Sequence, residues 1–251
     1  MQPAATPSRT PPEDLLRGAS LFLDLDGTLV DFALHPDAVV VDARLSALLL
    51  RLAERLNGQM AMISGRSVDQ VIALLGHAPF AIAGSHRLEM RWPNGQSLSV
   101  PRPDSLAEVE AEMNLFAARH SGVLVERKPF GAALHYRMAP ALKEQCRQLA
   151  SELEARTGLQ LQPGNMVYEL KAPWADKGTA LTFLMAGSEM AGARPIFIGD
   201  DITDEAGFVA AASLGGAGVL VGAPRRSAAI YRLDSVAATL AWLEAAVEAL
   251  P

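Results

Sequence analysis

One cysteine in 251 residues leaves no partner for an internal disulfide and suits a reducing, cytoplasmic compartment. That residue, Cys146, lies in the helical pattern PALKEQCRQLASEL and reads as packing rather than as a nucleophile. No apolar run approaches the ~20 residues needed to span a bilayer, so no membrane is expected. The opening MQPAATPSRTPPED has neither the basic start nor the apolar core of a secretory leader. It is rich in proline and is expected to form a flexible leader over residues 1–14. Net charge is −6 with no basic stretch, so no nucleic acid is expected as a partner. Half the residues are apolar and a fifth are charged, enough for one sizeable core and a smaller second one.

What is present is concentrated in two acidic segments. The first, LFLDLDGTLVD (residues 21–31), runs from an apolar strand into Asp24 and Asp26. Strand side chains alternate, so these two carboxylates are expected on one side of the strand's carboxyl end. Gly27 then allows a sharp turn. The second, PIFIGDDITDEAGF (195–208), is another apolar strand that runs into Asp200 and Asp201, with Asp204 and Glu205 following. Clustered carboxylates repel unless a cation lies between them or one holds a proton. A helix N-cap would account for a single Asp at a strand end, but it explains too little of two such segments together. Carboxylates without His or Cys form a hard-oxygen site, which suits Mg²⁺ better than zinc.

Between these segments the chain alternates apolar strand, polar turn and helix. Residues 20–25 precede the helical VDARLSALLLRLAERL, with Leu45, Leu48, Leu49 and Leu52 on one face. MAMISGRS ends a second strand at Ser64-Gly65-Arg66, and FAIA ends a third at Gly84-Ser85-His86. LEMRWPNGQSLSV reads as a hairpin turning at Asn94-Gly95. From about Pro101 to Pro173 the pattern becomes αββαββ with antiparallel hairpins. Asp176-Lys177-Gly178-Thr179 then opens a helix, VLVG (219–222) adds a strand, and SVAATLAWLEAAVEAL forms the last helix. The expected fold class is α/β: a doubly wound, mostly parallel Rossmann-like core sheet with an inserted α+β (αββαββ) cap domain. The core is expected over 15–101 and 174–251, and the cap over 102–173.

Asp24/Asp26, Ser64, Lys177 and Asp200/Asp201 together supply the parts that phosphoryl transfer needs, since that chemistry is mostly positioning and neutralisation of oxygens. Asp24 can attack phosphorus, and Asp26 can protonate the leaving oxygen and then deprotonate water. Mg²⁺ between Asp24 and Asp200 would hold nucleophile and phosphate together. Lys177 and Ser64 would bind the remaining phosphate oxygens.

DLDGT, SGR, DKG and GDDITDE, in that order, resemble the haloacid dehalogenase superfamily of aspartate-nucleophile phosphatases. The resemblance makes Asp24 the nucleophile and Asp26 the acid/base, with Asp24, the Asp26 carbonyl and Asp200 contacting the metal. It also makes Asp201 a support for the metal site and gives Gly65 and Arg66 to substrate binding. Within that superfamily, ERKPFGAALHYR (126–137), GSH (84–86) and Glu169 resemble the trehalose-6-phosphate phosphatases, which carry an αββαββ cap in the same place. On this resemblance His86, Glu126, Arg127, Lys128, His135, Arg137 and Glu169 are the sugar-binding candidates, with His135 orienting or packing rather than acting as a base. Alternation along the second cap strand would put His135 and Arg137 on one face and Tyr136 on the other. The chain departs from the family at Arg87, where Gly is common.

Charge patterning alone would read Glu126-Arg127-Lys128 as a solvated cluster. Arg66 stays open between substrate contact and pairing with acids, and Asp31, Asp204 and Glu205 between helix capping and tuning the metal site. The expected activity is Mg²⁺-dependent hydrolysis of trehalose 6-phosphate by a monomer. One rival is a phosphatase for sucrose phosphate or another sugar phosphate. The other is a receiver-like phospho-acceptor module, which needs neither the second Asp nor a cap.

Overall fold

The computed structural model describes residues 6–31, 39–76, 78–173, 176–187, 190 and 192–251. By the contacts between residues the chain divides into two units: Met1–Ser99 with Asp176–Pro251, and Val100–Ala175.

The larger unit is built on β1 (Ala19–Leu23), α1 (Ala43–Arg55), β2 (Met60–Ile63), α2 (Val68–Leu75), β3 (Ala81–Gly84), β4 (Glu89–Arg91) and β5 (Ser97–Ser99). The smaller unit follows as α3 (Leu106–Arg119), β6 (Leu124–Lys128), β7 (Gly131–His135), α4 (Lys143–Thr157), β8 (Gln160–Gly164) and β9 (Val167–Lys171). The chain then returns to the first unit with α5 (Lys177–Met185), β10 (Arg194–Gly199), α6 (Glu205–Ser213), β11 (Ala217–Val221), β12 (Tyr231–Leu233) and α7 (Val236–Glu248).

The larger sheet has the order β12-β11-β10-β1-β2-β3-β4-β5. From β12 to β3 every pairing is parallel, and β4 and β5 add an antiparallel hairpin at one edge. Strands buried on both faces need apolar residues throughout, and all of β1 (ASLFL) is buried. Its alternation divides the core. Leu21 and Leu23 join a cluster with α1, α2 and α7, whereas Phe22 joins a second cluster with α5 and α6. Helices therefore cover both faces, as the expected doubly wound class requires. The chain proceeds from β1 to β2 and β3 in one direction and from β10 to β11 and β12 in the other. The switch lies between β1 and β10, and ligands of such sheets gather at the carboxyl ends of the strands there.

The smaller unit carries the antiparallel sheet β6-β7-β9-β8. Ala132, Leu134, Tyr168 and Leu170 face α3 and α4 in a core of their own, with Cys146 buried among them. The αββαββ order matches the sequence pattern.

Strand β12 was not anticipated, because YRL is short and only its last residue is buried. Within the leader expected to be flexible over 1–14, Arg9 and Pro11 bond to later parts of the same unit. Arg9 forms a parallel bridge to Tyr231, and its carbonyl accepts the Arg232 N–H at 2.8 Å. The Pro11 carbonyl accepts Trp242 Nε1 at 2.9 Å in a buried setting. Proline lacks an N–H but can still lie along a sheet edge, where few backbone donors are needed.

No helix among the described residues is long and apolar enough to cross a membrane. Replacing Trp242 by Phe removes the donor and leaves the buried Pro11 carbonyl unmatched, at an expected cost of about 1–3 kcal/mol. Urea denaturation checks this. An unchanged midpoint would show that this hydrogen bond adds nothing to stability.

Candidate active site

Four neighbouring strands deliver the polar groups. β1 ends at Leu23, and the Asp24 N–H continues the parallel ladder by donating to the Ile198 carbonyl of β10 at 3.0 Å. That bond sets Asp24 beside the Gly199-Asp200 exit from β10. Asp26 follows in a tight turn. Gly27 has φ +80° and donates its N–H to the Val30 carbonyl at 2.7 Å, a conformation that a Cβ would strain. β2 delivers Ser64 to the same edge, and β3 delivers Ser85 and His86.

At the centre lies a buried ammonium. Lys177 is the first residue of α5, whose N-cap Asp176 accepts the Thr179 N–H at 2.7 Å. A cation at a helix amino terminus opposes the helix dipole and needs carboxylates to offset it. Lys177 Nζ lies 2.8 Å from Asp24 Oδ1 and 2.7 Å from Asp204 Oδ1. Burial draws the Lys177 pKa down, but the charges of Asp24 and Asp204 outweigh it, and the net shift is upward. Asp24 is itself buried, and that burial pushes its carboxyl up against the opposing pull of Lys177.

Asp204 is fully buried, and both its oxygens are engaged. Oδ1 takes Lys177, while Oδ2 accepts the Asp200 and Asp201 N–H groups, each at 2.9 Å. It comes this close because residue 199 is glycine: a Cβ there would lie 2.3 Å from Asp204 Cγ. Carboxylate oxygens of Asp24, Asp200 and Asp204 can all lie within 4.8 Å of one another. Since Asp204 is occupied by its own hydrogen bonds, Asp24 and Asp200 are the pair whose geometry suits a shared cation. Burial, then the charges of Asp204 and Asp201, raises the Asp200 carboxyl to about 6. Thr28 Oγ1 donates to Asp200 Oδ1 at 3.4 Å. The donors are all oxygen, so the residues fit Mg²⁺ better than a softer metal.

Asp26 is held differently. Arg66 Nε and Nη2 grip its two oxygens at 2.7 Å each, so the open question about Arg66 resolves to a bidentate pair with Asp26. The Arg66 N–H donates to Ser64 Oγ at 3.1 Å, and a hydroxyl that accepts there can still donate its proton. The SGR and GSH turns interlock: His86 N–H reaches the Ser64 carbonyl at 3.0 Å, and Ser85 N–H the Arg66 carbonyl at 2.8 Å. The His86 ring lies over Gly65, where a Cβ would be 3.0 Å from Nε2. Ser85, His86 and Arg87 all have positive φ, with Arg87 at +92°. Arg87 thus occupies a glycine-like conformation, and its guanidinium sits 5.0 Å from the Phe183 ring centre.

Asp201 departs from its expected place. Its carboxylate accepts the Thr203 N–H as a cap, and the residue is exposed. Asp204, left open by the sequence, takes the inward position instead. Asp31 is exposed.

In the smaller unit the sugar-binding candidates separate by strand face. Glu126 and Lys128 share one face of β6 with His135 of β7 and Glu169 of β9, following the register Glu126↔Ala133↔Glu169. Lys128 Nζ donates to Glu169 Oε2 at 2.6 Å, and His135 Nε2 lies 2.9 Å from Glu126 Oε2. That contact, chiefly its hydrogen bond, lowers the Glu126 carboxyl. Arg127 points to the helix-packed face, where its Nε is 3.5 Å from Glu110 Oε2. Strand alternation forbids it from joining Glu126 and Lys128. β7 ends at His135, yet the expected alternation continues beyond it. Tyr136 is buried, whereas Arg137 is exposed with Nη2 3.5 Å from the Asn165 carbonyl.

A family model described as trehalose-phosphatase matches residues 22–237. The probable trehalose-phosphate phosphatase of Sinorhizobium fredii is 39% identical over 207 residues, spanning 82% of this chain and 78% of that protein. The trehalose-6-phosphate phosphatase of Escherichia coli K12 is 37% identical over 231 residues, spanning 91% and 86%. Among solved structures, a trehalose-6-phosphate phosphatase related protein superposes with a TM-score of 0.74 at 25% identity, covering 89% of this chain and 95% of that one.

A cation held by Asp200 would bind in a pH-dependent way, because that carboxyl is raised. Without a cation the folded state favours the protonated carboxyl. Its contribution to stability is therefore present below the ordinary carboxylate range and lost as pH rises through about 6. A divalent cation must displace that proton, so its affinity is expected to fall as pH drops from 7 to 5. Calorimetric titration in buffers of different ionisation enthalpy measures both the affinity and the proton released. An affinity constant across that range would contradict this assignment of Asp200.

Proposed function

Because the chain belongs to the trehalose-phosphatase family and is a phosphoric monoester hydrolase, we propose that it converts trehalose 6-phosphate to trehalose and phosphate through an aspartyl-phosphate on Asp24. The observation that carries this reading is the meeting of Asp24, Lys177 and Asp200 at the carboxyl ends of β1 and β10, beside the Ser64 end of β2, around a buried carboxylate–ammonium contact. Asp24 and Asp200 carboxylate oxygens, with the Asp26 carbonyl, would hold Mg²⁺. Bound there, the ion would neutralise phosphate charge and relieve the repulsion between the two carboxylates.

Asp24 attacks phosphorus while Lys177 and Ser64 bind non-bridging oxygens, so the charge of the transferring group is met by fixed donors. Lys177 also keeps Asp24 in place, since its ammonium is fixed from the other side by Asp204. Asp26 gives a proton to the leaving sugar oxygen and later takes one from the water that opens the aspartyl-phosphate. Arg66 grips both Asp26 oxygens at rest, so it must free one of them before Asp26 can carry the proton that it delivers.

Sugar selectivity is assigned to Glu126, Lys128, His135 and Glu169, the paired donors and acceptors on one face of the antiparallel sheet. A site that hydrogen-bonds particular hydroxyls rejects sugars lacking them. Arg127 is omitted from this set because it is engaged with Glu110 on the other face. A reducing compartment, the cytoplasm, suits the buried free thiol of Cys146.

Phosphate release from trehalose 6-phosphate, sucrose 6-phosphate, glucose 6-phosphate and p-nitrophenyl phosphate, with Mg²⁺ and with a chelator, tests the reading. Trehalose 6-phosphate should be preferred by orders of magnitude, and the chelator should abolish turnover. Glu169→Ala should lower kcat/KM for trehalose 6-phosphate by about 10–100-fold, in line with the loss of hydrogen-bonded recognition, while sparing p-nitrophenyl phosphate. Equal losses on both substrates would mean that Glu169 does not read the sugar. Preference for another sugar phosphate would replace the substrate.

A further inference from the structure

Two side chains without a role in the chemistry above bind the Asp200-Asp201 turn to the neighbouring loop. Arg225 lies between β11 and β12. Its Nη2 donates to the Asp201 carbonyl at 2.7 Å and to the Asp200 carbonyl at 3.4 Å. Its Nη1 pairs with Glu205 Oε1, and the other Glu205 oxygen accepts the Ala228 N–H at 2.8 Å. Glu205 is the first residue of α6, so one carboxylate fixes both the guanidinium and the loop that carries it.

From the opposite side, Asp204 accepts the N–H groups of Asp200 and Asp201. The peptide unit joining Asp200 to Asp201 is thus gripped at its N–H by Asp204 and at its carbonyl by Arg225. The two grips hold the backbone that carries the Asp200 carboxylate. Residues 200–205 also include four carboxylates, whose mutual repulsion a fixed guanidinium offsets. An exposed ion pair would contribute little, but the side chains of Arg225 and Glu205 are 28% and 22% exposed, and each makes further bonds to backbone.

We propose that Arg225, oriented by Glu205, is a positioning residue for the divalent-cation site: it sets the Asp200 carboxylate at the spacing from Asp24 that one cation needs. The inference rests on the reading that Asp24 and Asp200 share a cation. Neither Arg225 nor Glu205 touches the reacting atoms, so their effect passes through Asp200. Lysine at 225 can reach one carbonyl but cannot span two carbonyls and a carboxylate, so it replaces arginine only in part.

The test is Mn²⁺ binding to the full chain, followed by electron paramagnetic resonance of the free ion, in wild type, Arg225→Ala, Arg225→Lys and Asp200→Asn. Near-UV circular dichroism of each variant reports the fold. Mn²⁺ affinity should fall about tenfold in Arg225→Ala and by less in Arg225→Lys, with spectra like wild type. The Mg²⁺ concentration for half-maximal activity should rise in parallel, while KM at saturating Mg²⁺ stays within twofold. Unchanged Mn²⁺ affinity in Arg225→Ala, alongside its loss in Asp200→Asn, overturns the role of Arg225 and leaves the cation site standing. Absence of Mn²⁺ binding in wild type, or full retention in Asp200→Asn, overturns the cation site and this inference with it. Loss of the native spectrum in both Arg225 variants also overturns the inference, since Arg225 would then hold the fold rather than the site.

Discussion

A buried ammonium shared by two carboxylates fixes the rest of the site. The cost of burying the Lys177 ammonium is offset by the charges of Asp24 and Asp204, which lie 2.8 and 2.7 Å from its Nζ. The arrangement requires the amino end of α5, the exit from β1 and the start of α6 to meet at one point. It also requires a glycine at 199, where any side chain would collide with Asp204. Stability and chemistry are therefore coupled: the contacts that make burial of Asp24 tolerable also hold its carboxylate next to the crowded Asp200.

Much of this was legible in the sequence because the elements carrying it are strongly patterned. Apolar strands that stop at Asp24, Ser64 and Asp200 imply functional groups at one sheet edge, and the structure aligns those strands as parallel neighbours. The antiparallel hairpin around Asn94-Gly95 and the αββαββ order were equally readable, since turn residues and periodicity mark them. Local signals were weaker elsewhere. Nothing in GAPRRSA distinguishes Arg225 from a solvated charge, and only the fold carries it to the Asp200-Asp201 turn. Thr28 was passed over because a hydroxyl after DxDG reads first as part of a turn. Asp201 was read as a support for the metal site and Asp204 left open, because capping and inward placement depend on turn geometry that spacing does not encode.

The smaller unit shows what a linear motif conceals. Glu126, Arg127 and Lys128 form one acidic-basic run in sequence, yet a strand sends the middle residue to the opposite face. Arg127 meets Glu110 of α3, which also accepts Arg102 Nη2 at 2.5 Å, so these charges are partly spent on holding the unit together. Composition is similarly silent about the leader, where the Arg9 and Pro11 carbonyls accept hydrogen bonds from Arg232 and Trp242.

The central claim is that Asp24 receives the phosphoryl group while Lys177 and Asp200 hold their places around it. Rapid quenching during turnover of trehalose 6-phosphate, followed by borohydride reduction, would convert an acyl phosphate at that position to homoserine. Peptide mass spectrometry should then find homoserine at residue 24 and nowhere else. Reduction at another residue, or none at all under conditions of full turnover, would contradict the account.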